Sequence, residues 1–272
     1  MLIMTKQTRS LFQDHPFHLV SPSPWPLNFC IAIFSLTSSA ALAMHGFEYG
    51  YITVYLAVFG VVTSMLFWFR DIVSEGTFLG DHTTLVQVGL NMGVILFIAS
   101  EALLFLAIFW AFFHSALTPV VELGSQWPPL GIEPVNPFEL PLLNTVILLS
   151  SGATITYSHH SLIEGNRGGA IIGAVLTVIL AIIFTGFQGV EYNVSSFTIS
   201  DGVFGSCFYF ATGFHGAHVI VGTIFLVIAL WRIYDYHLTD THHLGFEAGI
   251  LYWHFVDVVW LFLYISVYYW GS

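Results

Sequence analysis

An acidic residue, Glu101, lies in the middle of a long apolar run, Phe97-Ile-Ala-Ser-Glu-Ala-Leu-Leu-Phe105. Placing a carboxylate at the centre of a lipid bilayer costs about 2.5–3.5 kcal/mol even on lenient insertion scales. We therefore expect Glu101 to be neutral or to be hydrogen-bonded to a polar neighbour. It could handle protons or act as a functional acid inside the membrane. The alternative is a neutral carboxyl that bonds to another helix.

Two further pairs of polar residues lie three positions apart, so the members of each pair share a helix face. They are His215 with His218, and His254 with Asp257. Histidines from facing helices could bind a b-type haem, and a His/Asp set could bind a metal. Because a third and a fourth ligand do not accompany them, we expect a structural polar network between two helices and no metal.

Two pairs of adjacent histidines, His159-His160 and His242-His243, also resemble ligand pairs. Neighbouring side chains on a helix point about 100° apart, so neither pair can close on a single ion by itself. The sequence contains no Gly-rich phosphate loop, nucleophile elbow, zinc-protease signature or CxxC motif. It therefore offers little chemistry of its own.

The composition is that of a membrane protein. Of the 272 residues, 56% are hydrophobic and 8% are charged, whereas a soluble domain carries about 25% charged residues. The net charge of −11 argues against a nucleic-acid partner, which requires a basic surface. Cys30 and Cys207 each lie in an apolar run, and two such cysteines do not indicate a disulfide framework.

Seven apolar runs are long enough to cross the membrane, which takes about 20 helical residues for about 30 Å of hydrocarbon. Their unbroken length favours helices over barrel strands. The third and sixth runs exceed one crossing and should tilt or project beyond the bilayer. The predicted spans are approximately residues 25–45, 53–73, 85–113, 142–159, 170–189, 203–233 and 249–270.

The basic residues predict the orientation. If seven spans alternate, the N-terminus and the turns after the second, fourth and sixth spans share one side, and the opposite side carries acidic residues without Lys or Arg. The positive-inside rule then places the N-terminus in the matrix or cytoplasm and the C-terminus on the opposite side. The residues on the basic side are Lys6, Arg9, Arg70, Arg167 and Arg232.

Two surface features stand out beside the spans. A Pro-rich loop at about residues 115–141 is expected to form an ordered cap or a partner surface, with a plain connector as the alternative. Arg70, His82, Arg232 and His237 cluster at the basic boundary. Anionic phospholipid headgroups are natural partners there, although a role in setting the topology would explain the same residues.

Three GxxxG pairs, 89/93, 169/173 and 245/249, predict close helix contacts.

Two functions remain open from the residues alone. One is a b-type haem protein that uses His215 or His218 together with His254. The other is a proton- or solute-coupled transporter centred on Glu101, although no internal repeat is visible.

Several blocks, spread in order from about residue 14 to the C-terminus, give the chain a specific resemblance to subunit III of cytochrome c oxidases, in its organellar form. They include Phe67-Trp-Phe-Arg-Asp-Ile72, Ser158-His-His-Ser-Leu162, Gly213-Phe-His-Gly-Ala-His218 and Trp253-His-Phe-Val-Asp-Val-Val-Trp260. Some relatives have a second Trp and an Arg where this chain has Phe69 and Ser74.

The resemblance implies an all-α integral membrane protein with seven transmembrane helices, in two parts separated by a lipid-filled cleft. Residues 1–80 would form the N-terminal segment and helices 1–2. Residues 81–272 would form a five-helix bundle with the Pro-rich outer loop. The chain would lie in the mitochondrial inner membrane, with its N-terminus in the matrix and its C-terminus in the intermembrane space.

The resemblance also implies a cofactor-free core subunit of an oxidase that reduces O₂ with electrons from cytochrome c and pumps protons. Haem a, haem a3, CuA and CuB would belong to partner subunits I and II. This chain would have no catalytic or metal-binding residues, and would support stability and proton uptake. Further expected partners are small accessory subunits, phospholipids such as cardiolipin, and the cytochrome bc1 complex in a supercomplex.

The resemblance assigns roles to particular positions as well. Glu101 matches the family's intramembrane glutamate. The expected lipid-binding residues are Trp68, Arg70, Glu75, His82, Arg232 and His237.

Overall fold

The computed structural model describes residues 14–272, and within them it contains seven long helices and no strand. Each of these helices is long and apolar enough to cross a membrane. The fold prediction, an all-α integral membrane protein with seven transmembrane helices, is therefore confirmed. The helices are α1 (Trp25–Met44), α2 (Gly50–Ser74), α3 (Thr84–Leu117), α4 (Leu140–Ile163), α5 (Arg167–Val194), α6 (Gly202–Tyr234) and α7 (Leu244–Leu263).

Short irregular helices continue or connect these elements. π-helical turns extend α2 through Glu75–Leu79 and α7 through Tyr264–Tyr269, and a 3₁₀ turn covers Val121–Leu123. α3 and α6 have 34 and 33 residues, or about 50 Å each at 1.5 Å per residue. Both exceed the hydrocarbon thickness, as the length of their apolar runs predicts.

The chain divides into two compact units, Met1–Leu90 and Asn91–Ser272, with the boundary inside α3. The domain boundary at residue 80 stays a prediction. Lys6 and Arg9, which contribute to the predicted orientation, lie outside the described residues. The other basic residues lie towards helix ends, Arg70 in α2, Arg167 in α5 and Arg232 in α6.

In the first unit, α1 and α2 pack through small residues. Gly50 lies so close to α1 that an added Cβ would be 2.7 Å from the Cα of Ala43. Nε1 of Trp25 donates a hydrogen bond of 2.6 Å to Asp71, and the Trp25 ring stacks on Phe67 at 4.9 Å. These contacts fix the start of α1 against the end of α2.

In the second unit, α7 is deeply buried, with 56% of the residues of its apolar spanning stretch inside the protein. The indole nitrogens of Trp253 and Trp260 donate to hydroxyls of α4, to Ser151 and Thr145, both at 2.9 Å. Large aromatic side chains can be buried here because their polar atoms find partners. The core of this unit therefore lies around α7.

The helices α4 and α5 pack closely at glycine residues. An added Cβ at Gly173 would lie 2.8 Å from the Cβ of Ser158, and one at Gly169 would lie 2.7 Å from the Ser161 hydroxyl. The GxxxG prediction is correct for this pair. For Gly89 and Gly93 it stays a prediction, since an added Cβ there would meet nothing within 4 Å in residues 14–272.

The loop between α3 and α4 folds back onto the second unit. Trp127, which precedes a cis proline, packs against Phe112 at 5.6 Å and Phe204 at 5.4 Å. The hydroxyl of Tyr264 donates to the carbonyl of Pro137 at 3.3 Å. These contacts hold the loop against the second unit, as expected for an ordered cap.

Candidate functional site

Glu101 on α3 is paired with His218 on α6. Nε2 of His218 lies 2.9 Å from Oε2 of Glu101, and the two side chains are 10% and 20% exposed. Nδ1 of the same ring lies 2.8 Å from the carbonyl oxygen of Phe214. Glu101 thus has the hydrogen-bonding neighbour that its depth requires, while its functional role stays a prediction.

The surroundings of this pair are aromatic. The His218 ring lies 4.7 Å from Phe214, 4.9 Å from Phe105 and 6.3 Å from Tyr252. Apolar surroundings strengthen a satisfied hydrogen bond and penalise an unpaired one. The pair is therefore suited to hold a proton between two helices rather than to leave a bare charge in the membrane.

His215 makes a different contact, although it lies only three residues from His218. Its Nε2 donates to the carbonyl oxygen of Val256 on α7 at 3.2 Å, and its ring, 1% exposed, packs 5.2 Å from Trp260. His215 therefore joins α6 to α7, whereas His218 joins α6 to α3.

His254 and Asp257 form a third and looser contact. Nδ1 of His254 lies 3.6 Å from Oδ2 of Asp257, and its Nε2 lies 3.3 Å from the Thr156 hydroxyl. That hydroxyl donates to the Gly152 carbonyl, so its oxygen is the acceptor for His254. The predicted single network of His215, His218, His254 and Asp257 is thus divided into three separate contacts. Residues on one face can meet different neighbours, which sequence spacing does not reveal.

A second buried polar cluster was missed by the sequence analysis. Glu191 is only 2% exposed and accepts hydrogen bonds from the Tyr268 hydroxyl and from Gln188 Nε2 at 3.0 Å. Oε1 of Gln188 in turn accepts from Asn144 at 3.4 Å. The predicted fifth span ends at residue 189, which puts Glu191 in a loop, whereas α5 continues to Val194 in the structure. The spacing of three between Gln188 and Glu191 was the available signal.

The predicted lipid-binding residues fall in both units. In the first, the Arg70 side chain is 63% exposed and lies 2.8 Å from Asp71. Trp68 packs edge-on to Phe29 at 5.9 Å. Potential ligand atoms of Glu75, His82 and His18 lie within 4.8 Å of one another, so the structure adds His18 to this group.

In the second unit, Arg232 and His237 lie near the end of α6. The backbone N–H of His237 donates to the Arg232 carbonyl at 2.9 Å. The His237 ring packs 5.5 Å from Trp231. An added Cβ at Gly245 would lie 2.8 Å from Nη1 of Arg232. Gly245 therefore makes room for a guanidinium.

Comparison with known proteins gives consistent matches over almost the whole chain. A family model described as cytochrome c oxidase subunit III matches residues 15–272. The chain is 75% identical over 269 residues to cytochrome c oxidase subunit 3 of Neurospora crassa, with 99% of this chain and 100% of that protein covered. It is 76% identical over 269 residues to the Pyricularia grisea protein of the same name, with the same coverage. The Emericella nidulans counterpart is 70% identical over 268 residues, covering 98% and 100%.

Proposed function

The chain belongs to the cytochrome c oxidase subunit III family, and from that premise we propose that it is a cofactor-free subunit that supports proton uptake and binds phospholipids. As a member of this family it is part of an oxidoreductase, complex IV of the respiratory chain. Its family and the seven apolar helices of residues 14–272 support a multi-pass protein of the mitochondrial inner membrane.

The observation that supports the cofactor-free role is that the intramembrane histidines are already hydrogen-bonded to protein atoms. Both ring nitrogens of His218 contact protein acceptors, Glu101 and the Phe214 carbonyl. His215 is hydrogen-bonded to the Val256 carbonyl. Axial ligation of a haem through Nε2 of either ring would break an existing hydrogen bond and leave its acceptor unpaired in the membrane. Haem a, haem a3, CuA and CuB are therefore assigned to subunits I and II.

The surface of the chain supports a role inside a larger complex. Trp110, on the same helix as Glu101, is 72% exposed, and Leu103 is 68% exposed. Such side chains need lipid or partner subunits around them. We assign these neighbours to subunits I and II and to small accessory subunits, and we include a supercomplex with the cytochrome bc1 complex in the proposal.

Support of proton uptake, rather than transport by this chain alone, fits the environment of Glu101. Transporters of known fold bind their substrate at discontinuous helices near the midplane. Here α3 and α6 continue without interruption through Glu101 and His218. The pair is accordingly a local proton-holding element beside the catalytic subunit.

Phospholipid binding rests on cationic and aromatic side chains at the helix ends. In the first unit, the Arg70 guanidinium lies 5.2 Å from the Phe67 ring centre and is largely exposed. In the second, Arg232 and His237 lie near the end of α6. Anionic headgroups, including those of cardiolipin, complement such charges. The same basic ends support a matrix-side N-terminus and a C-terminus in the intermembrane space.

A difference spectrum tests the proposed function. The complex is purified in mild detergent through a tag on this chain, and a reduced-minus-oxidised spectrum is recorded before and after the chain is stripped from it. Haem a bands in the complex and none on the stripped chain are expected. A haem signal that stays with the isolated chain would overturn the cofactor-free role and favour His215, His218 and His254 as ligands.

A further inference from the structure

The second unit brings together three side chains that are potential metal ligands: His159, His243 and Glu247. His159 lies near the end of α4, His243 directly precedes α7, and Glu247 lies in the first turn of α7. One ligand atom from each lies within 4.8 Å of the other two. Neither adjacent histidine pair can close on an ion alone, but one member of each pair converges here.

The tautomer of His243 is set by a backbone contact. Its Nδ1 lies 2.8 Å from the carbonyl oxygen of Thr239, which can only accept, so Nδ1 carries a proton. In the neutral ring, Nε2 then presents a lone pair, and it faces Oε1 of Glu247 at 3.2 Å. A backbone carbonyl on the distal nitrogen is the arrangement that orients metal-binding histidines in proteins.

His159 contributes a second nitrogen to the same point. Its Nε2 is buried, makes no hydrogen bond within residues 14–272, and lies 3.9 Å from Oε1 of Glu247. The ring is held edge-on against Phe246 at 6.0 Å and against His243 at 5.4 Å. Three potential electron-pair donors thus converge, and their mutual repulsion is relieved by a cation or an added proton among them.

We propose that His159, His243 and Glu247 form a binding site for a divalent cation of the Zn²⁺ class. Two imidazoles and a carboxylate, with water as a fourth ligand, form a known zinc donor set. Bonds of about 2.0–2.1 Å place tetrahedral ligands about 3.3 Å apart, and the two distances to Glu247 are 3.2 and 3.9 Å. Imidazole nitrogen favours zinc, copper or nickel over magnesium and calcium.

The site is accessible and would connect two helices. The Glu247 side chain is 42% exposed, whereas those of His159 and His243 are 24% and 8% exposed. Water can therefore occupy the fourth position, and an ion can enter from the Glu247 side. A bound ion would link the end of α4 to the start of α7. The site requires only the fold of the second unit and does not rest on the proposed function.

Zinc binding to the intact complex that carries this chain tests the site. After washing with a chelator, the complex is dialysed to equilibrium against Zn²⁺, and bound zinc is counted per haem a. His159→Gln, His243→Gln and Glu247→Gln are each expected to remove a single zinc ion from the wild-type count. The matched controls His160→Gln and His242→Gln, which change the neighbouring histidines, are expected to keep the full count. The haem a content reports assembly separately.

Unchanged zinc in the three ligand variants would overturn the site, as would an equal loss in the two controls. If the ligand variants fail to assemble, anomalous scattering at the zinc edge from wild-type crystals decides the question. A peak among the three side chains is expected. No peak there at saturating zinc would overturn the proposal.

Discussion

Nε2 of His218 lies 2.9 Å from Oε2 of Glu101, across two helices and 117 positions in the sequence. Because Nδ1 of the same ring donates to the Phe214 carbonyl, the contact with Glu101 contains one proton, which belongs either to the carboxyl or to the ring. Both arrangements leave the pair without net charge, as an apolar environment requires. Glu101, which the sequence presents as an isolated charge, is thus one partner of a pair that carries no net charge.

The first prediction concerns the two ways of replacing Glu101. Glu101→Gln retains a donor for Nε2 of His218, so the complex should assemble with a nearly unchanged thermal midpoint. Glu101→Leu leaves that nitrogen unpaired and should cost about 1–3 kcal/mol. Thermal unfolding of the purified complex and its haem a content provide the measurements. Loss of the complex in Glu101→Gln would instead show that the ionised carboxylate is needed for the structure.

The second prediction is a coupling energy between Glu101 and His218. In a double-mutant cycle with Glu101→Ala and His218→Ala, we expect a coupling of about 1 kcal/mol, within the range found for hydrogen bonds between membrane helices. The control cycle pairs Glu101→Ala with His254→Ala, because His254 contacts Asp257 and Thr156 instead. A control coupling as large as that of the pair would contradict a direct contact.

Much of the fold could be predicted from the sequence because lipid imposes a simple rule. A run of apolar residues about 20 long must form a helix, since its backbone can find no water. The ends of the helices are harder to predict from sequence, because a charged residue such as Glu191 is typical of a loop. It is buried in the structure, where Tyr268, 77 positions away, and Gln188 both donate hydrogen bonds to it.

The candidate sites show the same limit. That His159-His160 cannot close on one ion stays a prediction, and the sequence does not show that His159 meets His243. The sequence likewise presents His215 and His218 as one set. In each case the deciding neighbour lies on a helix that is distant in sequence, so spacing alone carries no information about it.

The third prediction tests the close packing of α4 on α5. Gly173→Ala places a Cβ 2.8 Å from the Cβ of Ser158 and from the Thr154 carbonyl oxygen, so the helices must move apart. Overpacking of this kind costs about 1–3 kcal/mol. Gly189→Ala on the same helix is the control, because its Cβ would meet nothing within 4 Å. Thermal midpoints of the two variants should differ clearly, and equal midpoints would refute the close contact.

The fourth prediction concerns the buried carboxyl of Glu191. Tyr268→Phe removes one of its two hydrogen-bond donors and leaves Gln188 as the other. A buried acceptor that loses a partner costs about 1–3 kcal/mol. Tyr269→Phe removes a hydroxyl from the neighbouring residue, which is 58% exposed, and should change little. The thermal midpoint of the complex is the measurement. A larger effect for Tyr269→Phe would place the polar cluster elsewhere.

The fifth prediction separates a lipid-binding arginine from a structural one. The Arg70 guanidinium is largely exposed and contacts only Asp71 and the Phe67 ring among the described contacts. Arg167 donates to the Tyr236 hydroxyl and the Tyr234 carbonyl, and its guanidinium lies 3.7 Å from the Tyr236 ring centre. Removing Arg70 should therefore weaken lipid binding, and removing Arg167 should lower the stability of the protein.

In Arg70→Gln we expect an anionic phospholipid to bind about 5-fold more weakly, since a basic charge near such lipids contributes about 1 kcal/mol. Loss of its exposed ion pair should change stability by less than about 1 kcal/mol. Arg167→Gln should lower the thermal midpoint and retain the lipid. Native mass spectrometry of the complex counts the bound lipids, and thermal unfolding reports stability. If Arg70→Gln kept its lipid while losing stability, Arg70 would be a structural residue, because the ion pair with Asp71 would then account for its whole effect.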